Sequence, residues 1–407
     1  MLSIDVEKQS AFRWFVLLII LVVQFHLMAV LFAPAALASA ILTDLHITKT
    51  EFGLIMSAVN VTVMLCVVLG SILVDRAGLK KGLLYGLAAL GIGATAVLLV
   101  HSLPLFLAAR IIQGVGIAIA YPVLGAMIMA WFSTREQPYI NTIFASGAFL
   151  GTGAAFIVTA ELFRRLQGSW KAALSCYGAS ALVIAAVWLL GGRDRTRSAP
   201  QAPPVEPDAR SERRQSSLST AVHMPVAWQL TIAIFAVSWV YNMYFSFLPL
   251  FLQNNKGFPL AAANRLASFL PFSGVAGVIV CGLLSKRASL RKHLLWTSCA
   301  IVIVGSIALF FGDGAIMKWG LLIAGFGVSG FLPVLSTYMM SLPAMTPSLV
   351  AAFLVMINVA TYMAGFISPL LVGWLSQTPF GLRNTMALFS WMEVLAIVMF
   401  LRLPAIA

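Results

Sequence analysis

Residues Ser71 to Lys81 read SILVDRAGLKK, and residues Gly282 to Lys292 read GLLSKRASLRK. Each is a short basic turn that follows a long apolar run, and the two lie 211 positions apart. The same offset carries Gly114, Gly116 and Pro122 onto Gly325, Gly327 and Pro333. A turn and a Gly/Pro pattern repeating in one register indicate a duplicated chain, so the runs around these turns are best counted in two halves.

The runs are long. A membrane-spanning helix needs about 20 apolar residues. Twelve segments qualify: 13–40, 52–74, 81–101, 103–132, 138–163, 170–192, 226–252, 260–285, 290–312, 315–342, 348–376 and 382–402. Composition agrees: 61% of residues are hydrophobic and 10% charged, against about 25% charged in soluble domains. In lipid the backbone must satisfy itself, which selects helices. The runs also lack the alternation of a β-barrel. The expected fold class is an all-α membrane protein of twelve transmembrane helices in two pseudo-symmetric six-helix bundles. The run near the N-terminus ends in ALASA, like a signal-peptidase site, but it is far longer than a signal sequence and reads as the first span.

Between the halves, Gly192 to Met224 reads GRDRTRSAPQAPPVEPDARSERRQSSLSTAVHM, rich in Arg, Pro and Ser and poor in core-forming residues. The expected organisation is a bundle at 1–192, a cytoplasmic linker at 193–224 and a bundle at 225–407. With the N-terminus placed inside, seventeen Lys and Arg fall on the cytoplasmic side and eight on the other; Arg110 lies within a span. That bias puts both termini in the cytoplasm and the protein in a plasma membrane, the inner membrane of a bacterium.

The net charge of +13 does not read as nucleic-acid binding, because the basic residues form short clusters between spans. Cys66, Cys176, Cys281 and Cys299 sit singly in apolar runs and read as small buried hydrophobes. There is no metal cluster, no phosphate loop and no nucleophile–base pattern, so neither an enzyme nor a cofactor is expected.

The turn at Asp75, Arg76, Gly78, Lys80 and Lys81 resembles the loop after the second span in the major facilitator superfamily, with Ser71 in place of a Gly and Leu79 in place of an Arg. In the second copy Lys286 and Ser289 replace the Asp and Gly. The fourth span carries Arg110, Gln113, Gly114 and Gly116, similar to that family's R-x-x-Q-G-x-G motif. The resemblance covers nearly the whole chain. It implies secondary transport by alternating access, with the turn acting as an interdomain latch. The fifth span has Gly147, Gly151 and Gly153 without the proline common in drug antiporters of the family.

Candidate site residues are the polar groups inside spans. Arg110 is a cation deep in a span, which is functional by default, and Gln113 lies one turn away. His26, near mid-membrane, reads either as a proton carrier or as a neutral interhelix contact. Asn60, Tyr121, Tyr241, Asn242, Asn358 and Tyr362 are candidates to complete a pocket, with Trp239 and Phe245 as apolar walls. Glu393 lies in the twelfth span and has no clear assignment. An uncompensated Arg110 in a central cleft leads to the expectation of a small anionic solute, with protons as coupling ion, lipids as neighbours and a monomeric state. Proton-driven efflux of drugs or metabolites is the alternative within the class, and a non-transporting receptor or scaffold the alternative outside it.

Overall fold

The computed structural model describes residues 12–133, 135–193, 218–342 and 345–404. Most of the expected linker therefore lies outside the described residues. Among the described residues, twelve helices are long and apolar enough to cross a membrane. They are α1 (Phe12–Ala36), α2 (Lys49–Ala77), α3 (Leu79–Leu99), α4 (Leu103–Trp131), α5 (Tyr139–Arg165), α6 (Trp170–Gly191), α7 (Pro225–Asn254), α8 (Leu260–Leu284), α9 (Ala288–Phe311), α10 (Gly314–Met340), α11 (Ser348–Leu375) and α12 (Gly381–Leu401).

Local signals set the helix ends. Thr48 caps α2 in a reciprocal box with Glu51: its hydroxyl accepts from the Glu51 amide, while the Glu51 carboxylate accepts from the Thr48 amide. Gly78, at φ 85°, ends α2 and starts α3, in a backbone region that suits glycine. Trp188 on α6 donates from Nε1 to the Lys80 carbonyl at 3.0 Å, which pins the basic turn to its own half.

The duplication is visible in the packing. In the first half α4 lies against α2 and α3, α1 against α5, and α3 against α6. In the second, α10 lies against α8 and α9, α7 against α11, and α9 against α12. The matched glycines hold matched positions. Gly114 faces Thr62 of α2 and Gly116 faces Gly86 and Leu90 of α3; Gly325 faces Leu270 of α8 and Gly327 faces Ser298 of α9. At three of the four the neighbour is backbone closer than 3 Å to where a Cβ would sit, and at Gly114 it is the Thr62 side chain at the same range, so close helix approach demands glycine.

The halves meet through α2 with α11, α5 with α8, and α1 with α7. The α2–α11 contact has one polarity. Gly53 abuts the Pro369 carbonyl, and Gly373 abuts the Lys49 carbonyl. Ser57 donates to Phe366 O at 2.6 Å and Asn60 to Gly365 O at 3.2 Å, and Gln377 bonds Thr50. All of these lie toward the start of α2 and the end of α11, on the face opposite the basic turns. On the same face Ser39 donates to Gln253 of α7 at 2.8 Å, and Asn264 of α8 donates to Ala36 O at 2.9 Å.

Toward the basic face the contact ends. The stripe of α2 that packs at Gly53, Ser57 and Asn60 continues by helical period to Val68 and Asp75, which are exposed. The stripe of α11 through Gly373 and Phe366 continues to Asn358, Val355 and Ala351, also exposed. Bare stripes at that end are what two diverging helices show, and we read the gap between the halves as a vestibule closed at the opposite face and open toward the basic one.

Candidate functional site

Four expected residues lie where the halves meet, at the inner end of this gap. Tyr121 of α4 is 39% exposed. Its phenol lies within electrostatic range of Tyr241 on α7 and Tyr362 on α11, across the interface between the halves. Asn358 stands one turn from Tyr362 toward the basic face and is exposed. Tyr241 is boxed by Phe32 of α1, Phe149 of α5 and Phe245 of its own helix, with ring centroids 5.9, 6.1 and 4.4 Å away. Phe144 sits 6.1 Å from Tyr121. Beside Tyr121, Gly125 has open space where a Cβ would point. The vestibule floor is thus aromatic, with phenol and amide groups as its polar points.

Arg110 is elsewhere. The expectation placed it as a lone cation facing a cleft; the structure buries it completely. Its Nε donates to Ile55 O at 3.2 Å, Nη1 to Val30 O at 3.1 Å and to Gln113 Oε1 at 2.9 Å, and Nη2 to Leu31 O at 2.9 Å. The Val30 carbonyl has a reason to need a donor. Its helical partner would be the amide of residue 34, and Pro34 has none. The guanidinium therefore ties α4 to α1 and α2, and Gln113 extends the tie by donating to Gly93 O of α3 at 3.1 Å. In this conformation both residues hold the first half together, and neither presents charge to the vestibule.

His26 makes an interhelix contact in this conformation. Its Nε2 lies 2.8 Å from the Tyr177 carbonyl, so that nitrogen carries the proton, and the Tyr177 hydroxyl pairs with Thr159 at 2.8 Å. These contacts join α1, α6 and α5 within one half. Asn242 donates to Ser238 O of its own helix at 2.8 Å and is buried. Asn60 belongs to the closed contact described above. Trp239 and Phe245 are both buried; Phe245 packs on Tyr241 and Phe32, whereas Trp239 packs on Phe235 and on Phe389 of α12.

The basic turn is open. Asp75 and Arg76 are exposed, and Asp75 has no ion pair among the described residues. On this face the Arg13 guanidinium meets Glu136 at 3.1 Å. The Glu136 carboxylate also accepts the Ser133 amide at 3.0 Å and hydroxyl at 2.8 Å. The Ser133 amide, then its hydroxyl, and to a lesser degree Arg13 hold this carboxyl below its ordinary value. On the opposite face Trp170 Nε1 donates to Asp44 at 2.9 Å, and that bond is the main reason the Asp44 carboxyl is lowered.

The reciprocal glycines Gly53 and Gly373, with Ser57 and Gln377, were not singled out from the sequence. Their signal was available only in part: small residues at positions 53, 57 and 60 keep one helical face, but the partner helix comes from the other half of the chain.

Comparison with known proteins agrees with this architecture. The family model described as Major Facilitator Superfamily matches residues 18–365. The chain is 24% identical to the gallate transporter of Pseudomonas putida, over 82% of this chain and 80% of that one. It is 21% identical to the hexuronate transporter of Bacillus subtilis (strain 168), over 64% and 62%. Among solved structures, a bacterial homologue of the human lysosomal transporter Spinster, in an inward-facing and unoccupied conformation, superposes with a TM-score of 0.81 at 16% identity, covering 96% of this chain and 97% of that one. With the family model spanning most of its length, this chain is a membrane transport protein of the major facilitator superfamily.

Proposed function

We propose that the protein is a secondary transporter for a small organic acid, working by alternating access and coupled to protons. The observation that carries this reading is the vestibule, closed at one face and open at the other, whose inner wall gathers Tyr121, Tyr241 and Tyr362 from both halves. Relatives named for gallate and hexuronate transport support the substrate class. Both solutes are carboxylates rich in hydroxyl groups, and gallate adds an aromatic ring. A floor of phenols, an amide and Phe rings suits such solutes: hydroxyls pair with Tyr and Asn, and a ring stacks on the aromatic wall. With Arg110 spent on main-chain oxygens, the reading moves from a cationic hook to recognition by neutral donors.

The halves, 1–192 and 225–407, rock as two bodies joined by the linker 193–224. Asp75, Arg76, Gly78, Lys80 and Lys81 form the latch that engages when the basic face closes, and Asp75 and Arg76 stand exposed in the present state. The basic face is cytoplasmic, as its Lys and Arg bias suggests.

The test is transport by purified protein in proteoliposomes, with radiolabelled gallate and D-glucuronate and with or without an inwardly directed proton gradient (outside acidic). Uptake that saturates, is competed by the unlabelled acid and is accelerated by the gradient is expected. Failure to move either acid while moving cationic dyes would replace this reading with drug efflux.

A further inference from the structure

Thirteen Asp and Glu occur in the chain. Among the described residues, Asp44, Glu51, Asp75, Glu136, Glu161 and Asp313 lie in the first or last turns of helices or in their connections. Glu393 alone lies in the interior of a span, and it is 0% exposed.

Its surroundings are specific. The span α12 is broken at Trp391 into Gly381–Ser390 and Met392–Leu401, and Glu393 sits in the first turn after the break. That segment packs against α7 and α9. The titratable groups facing the carboxyl from those helices are Tyr244 of α7 and Cys299 of α9; among the described residues no basic one lies in range. No N–H or O–H donor reaches either carboxyl oxygen, and the Cys299 thiol beside it is only a weak donor.

The nearby hydroxyls are spoken for. Ser390 donates to Met386 O at 2.8 Å and Ser306 to Val302 O at 2.6 Å. Since the Ser306 proton is used on Val302, the Tyr244 hydroxyl is the donor in its 2.5 Å contact with Ser306. No hydroxyl proton is aimed at Glu393. A bare carboxylate without a donor or a cation is untenable in so apolar a place, whereas the neutral acid is tolerated.

A pocket of about 60 Å³ lies between α9 and α12, lined by Ile303, Ser306, Ile307, Phe310, Phe311, Ala387, Ser390 and Trp391. Ile307, Phe311 and Trp391 are exposed, so it opens on the outer face of the bundle, and the Ser306 and Ser390 hydroxyls lie between it and the cluster. The break at Trp391 gives α12 a point at which its second segment can shift.

We infer that Glu393 is a proton-binding site of the transport cycle, holding a proton in the state described here and exchanging it with water when the α12 break moves. This rests on the transporter reading above and assigns its coupling proton to a single acid inside the second half, away from the vestibule. The balance is simple: the carboxylate takes up one proton from water on one side, and the neutral acid returns it on the other.

The experiment compares wild type with Glu393→Gln, which mimics the neutral acid in shape and charge, and with Glu393→Asp. Two readouts are taken. The first is proteoliposome transport of gallate, both as gallate–gallate exchange and as accumulation driven by a pH gradient. The second is the pH-induced infrared difference spectrum of the purified protein, in which a protonating carboxyl shows a C=O band independent of any substrate. Glu393→Gln is expected to keep exchange, lose at least tenfold in gradient-driven accumulation and lack the C=O band. Glu393→Asp is expected to retain accumulation with a shifted pH profile. Gradient-driven accumulation by Glu393→Gln at wild-type level, or an unchanged infrared band in that variant, overturns the inference. If wild type moves no gallate at all, the substrate reading fails, and the infrared band still decides the role of Glu393. If Glu393→Gln does not fold, the Glu393→Asp pH profile and the wild-type band decide: a profile unshifted and a band absent overturn it.

Discussion

Arg110 shows how far one residue can be read from sequence alone. A guanidinium inside a span demands compensation, and the residue type and depth made that demand legible. What compensates it was not legible, because the partners are carbonyls, which every residue carries. Pro34 was the available clue: a proline in a helix orphans the carbonyl four residues earlier, and Val30 O is one of the three that Arg110 takes. Pro369 repeats the logic, since the carbonyl it orphans, Gly365 O, is the one Asn60 reaches across the halves. Arg110→Ala removes four hydrogen bonds from a buried charged donor and leaves acceptors unsatisfied, which is expected to cost about 3 kcal/mol or more. Arg110→Lys should recover little, because an ammonium lacks the planar fork that spans three carbonyls. Thermal unfolding in detergent measures both; a variant as stable as wild type but unable to transport would return Arg110 to a substrate role. At the vestibule the effects are smaller. Tyr362→Phe deletes one neutral hydrogen bond, worth about 1 kcal/mol. It is therefore expected to raise the KM for gallate about fivefold with stability unchanged, as steady-state uptake would show.

At the scale of helices, the sequence located all twelve spans to within a few residues, because length and apolar content are properties of a single segment. It also matched α4 to α10 through shared glycines. It could not show that α2 meets α11, since Gly53 and Gly373 lie in different halves and do not occupy matched positions in the repeat. Each glycine faces a backbone carbonyl of the partner helix, at a distance no Cβ tolerates. Backbone cannot step aside as a flexible side chain can, so the helices must part. Gly53→Val is therefore expected to disfavour closure at the opposite face while leaving each half folded. Reactivity of a cysteine placed at Thr50 with an aqueous maleimide applied to that face should rise severalfold, and equal reactivity with and without the valine would show that the glycine is dispensable. A weaker tie works at the other end, where Glu136 joins the start of α1 to the α4–α5 connection. Its carboxyl titrates below the ordinary 4.5 in the folded protein. The stabilisation is thus present above the ordinary glutamate range and is lost as pH falls through the lowered value. The site is partly exposed, so the effect is small. Protection of the Ser133, Glu136 and Gln137 amides, corrected for the intrinsic exchange rate at each pH, is expected to fall between pH 5 and 3 in wild type and to be already low, without that step, in Glu136→Gln.

The conformational state belongs to the whole molecule, and no window of sequence encodes it. Composition, repeats and basic turns are the same whichever face is open. The polarity emerges only when the contacts between halves are set side by side: Gly53, Ser57, Asn60, Ser39 and Asn264 all close one end, while the continuing stripes of α2 and α11 stand bare at the other. A free-energy difference of a few kcal/mol between two such arrangements is enough to make one dominant and the other reachable. If the vestibule is the solute's path, a probe at Asn358 should report it. In a background with Cys66, Cys176, Cys281 and Cys299 replaced, Asn358→Cys is expected to react with a membrane-impermeant maleimide in inside-out vesicles and to be protected in intact cells. Saturating gallate should slow the reaction, because the solute sits one turn deeper, at Tyr362, and favours closing of the basic face above it. Labelling from the cell exterior at the same rate would reverse the assignment of faces. Labelling indifferent to both sidedness and gallate would place Asn358 toward lipid and remove the vestibule from the transport path.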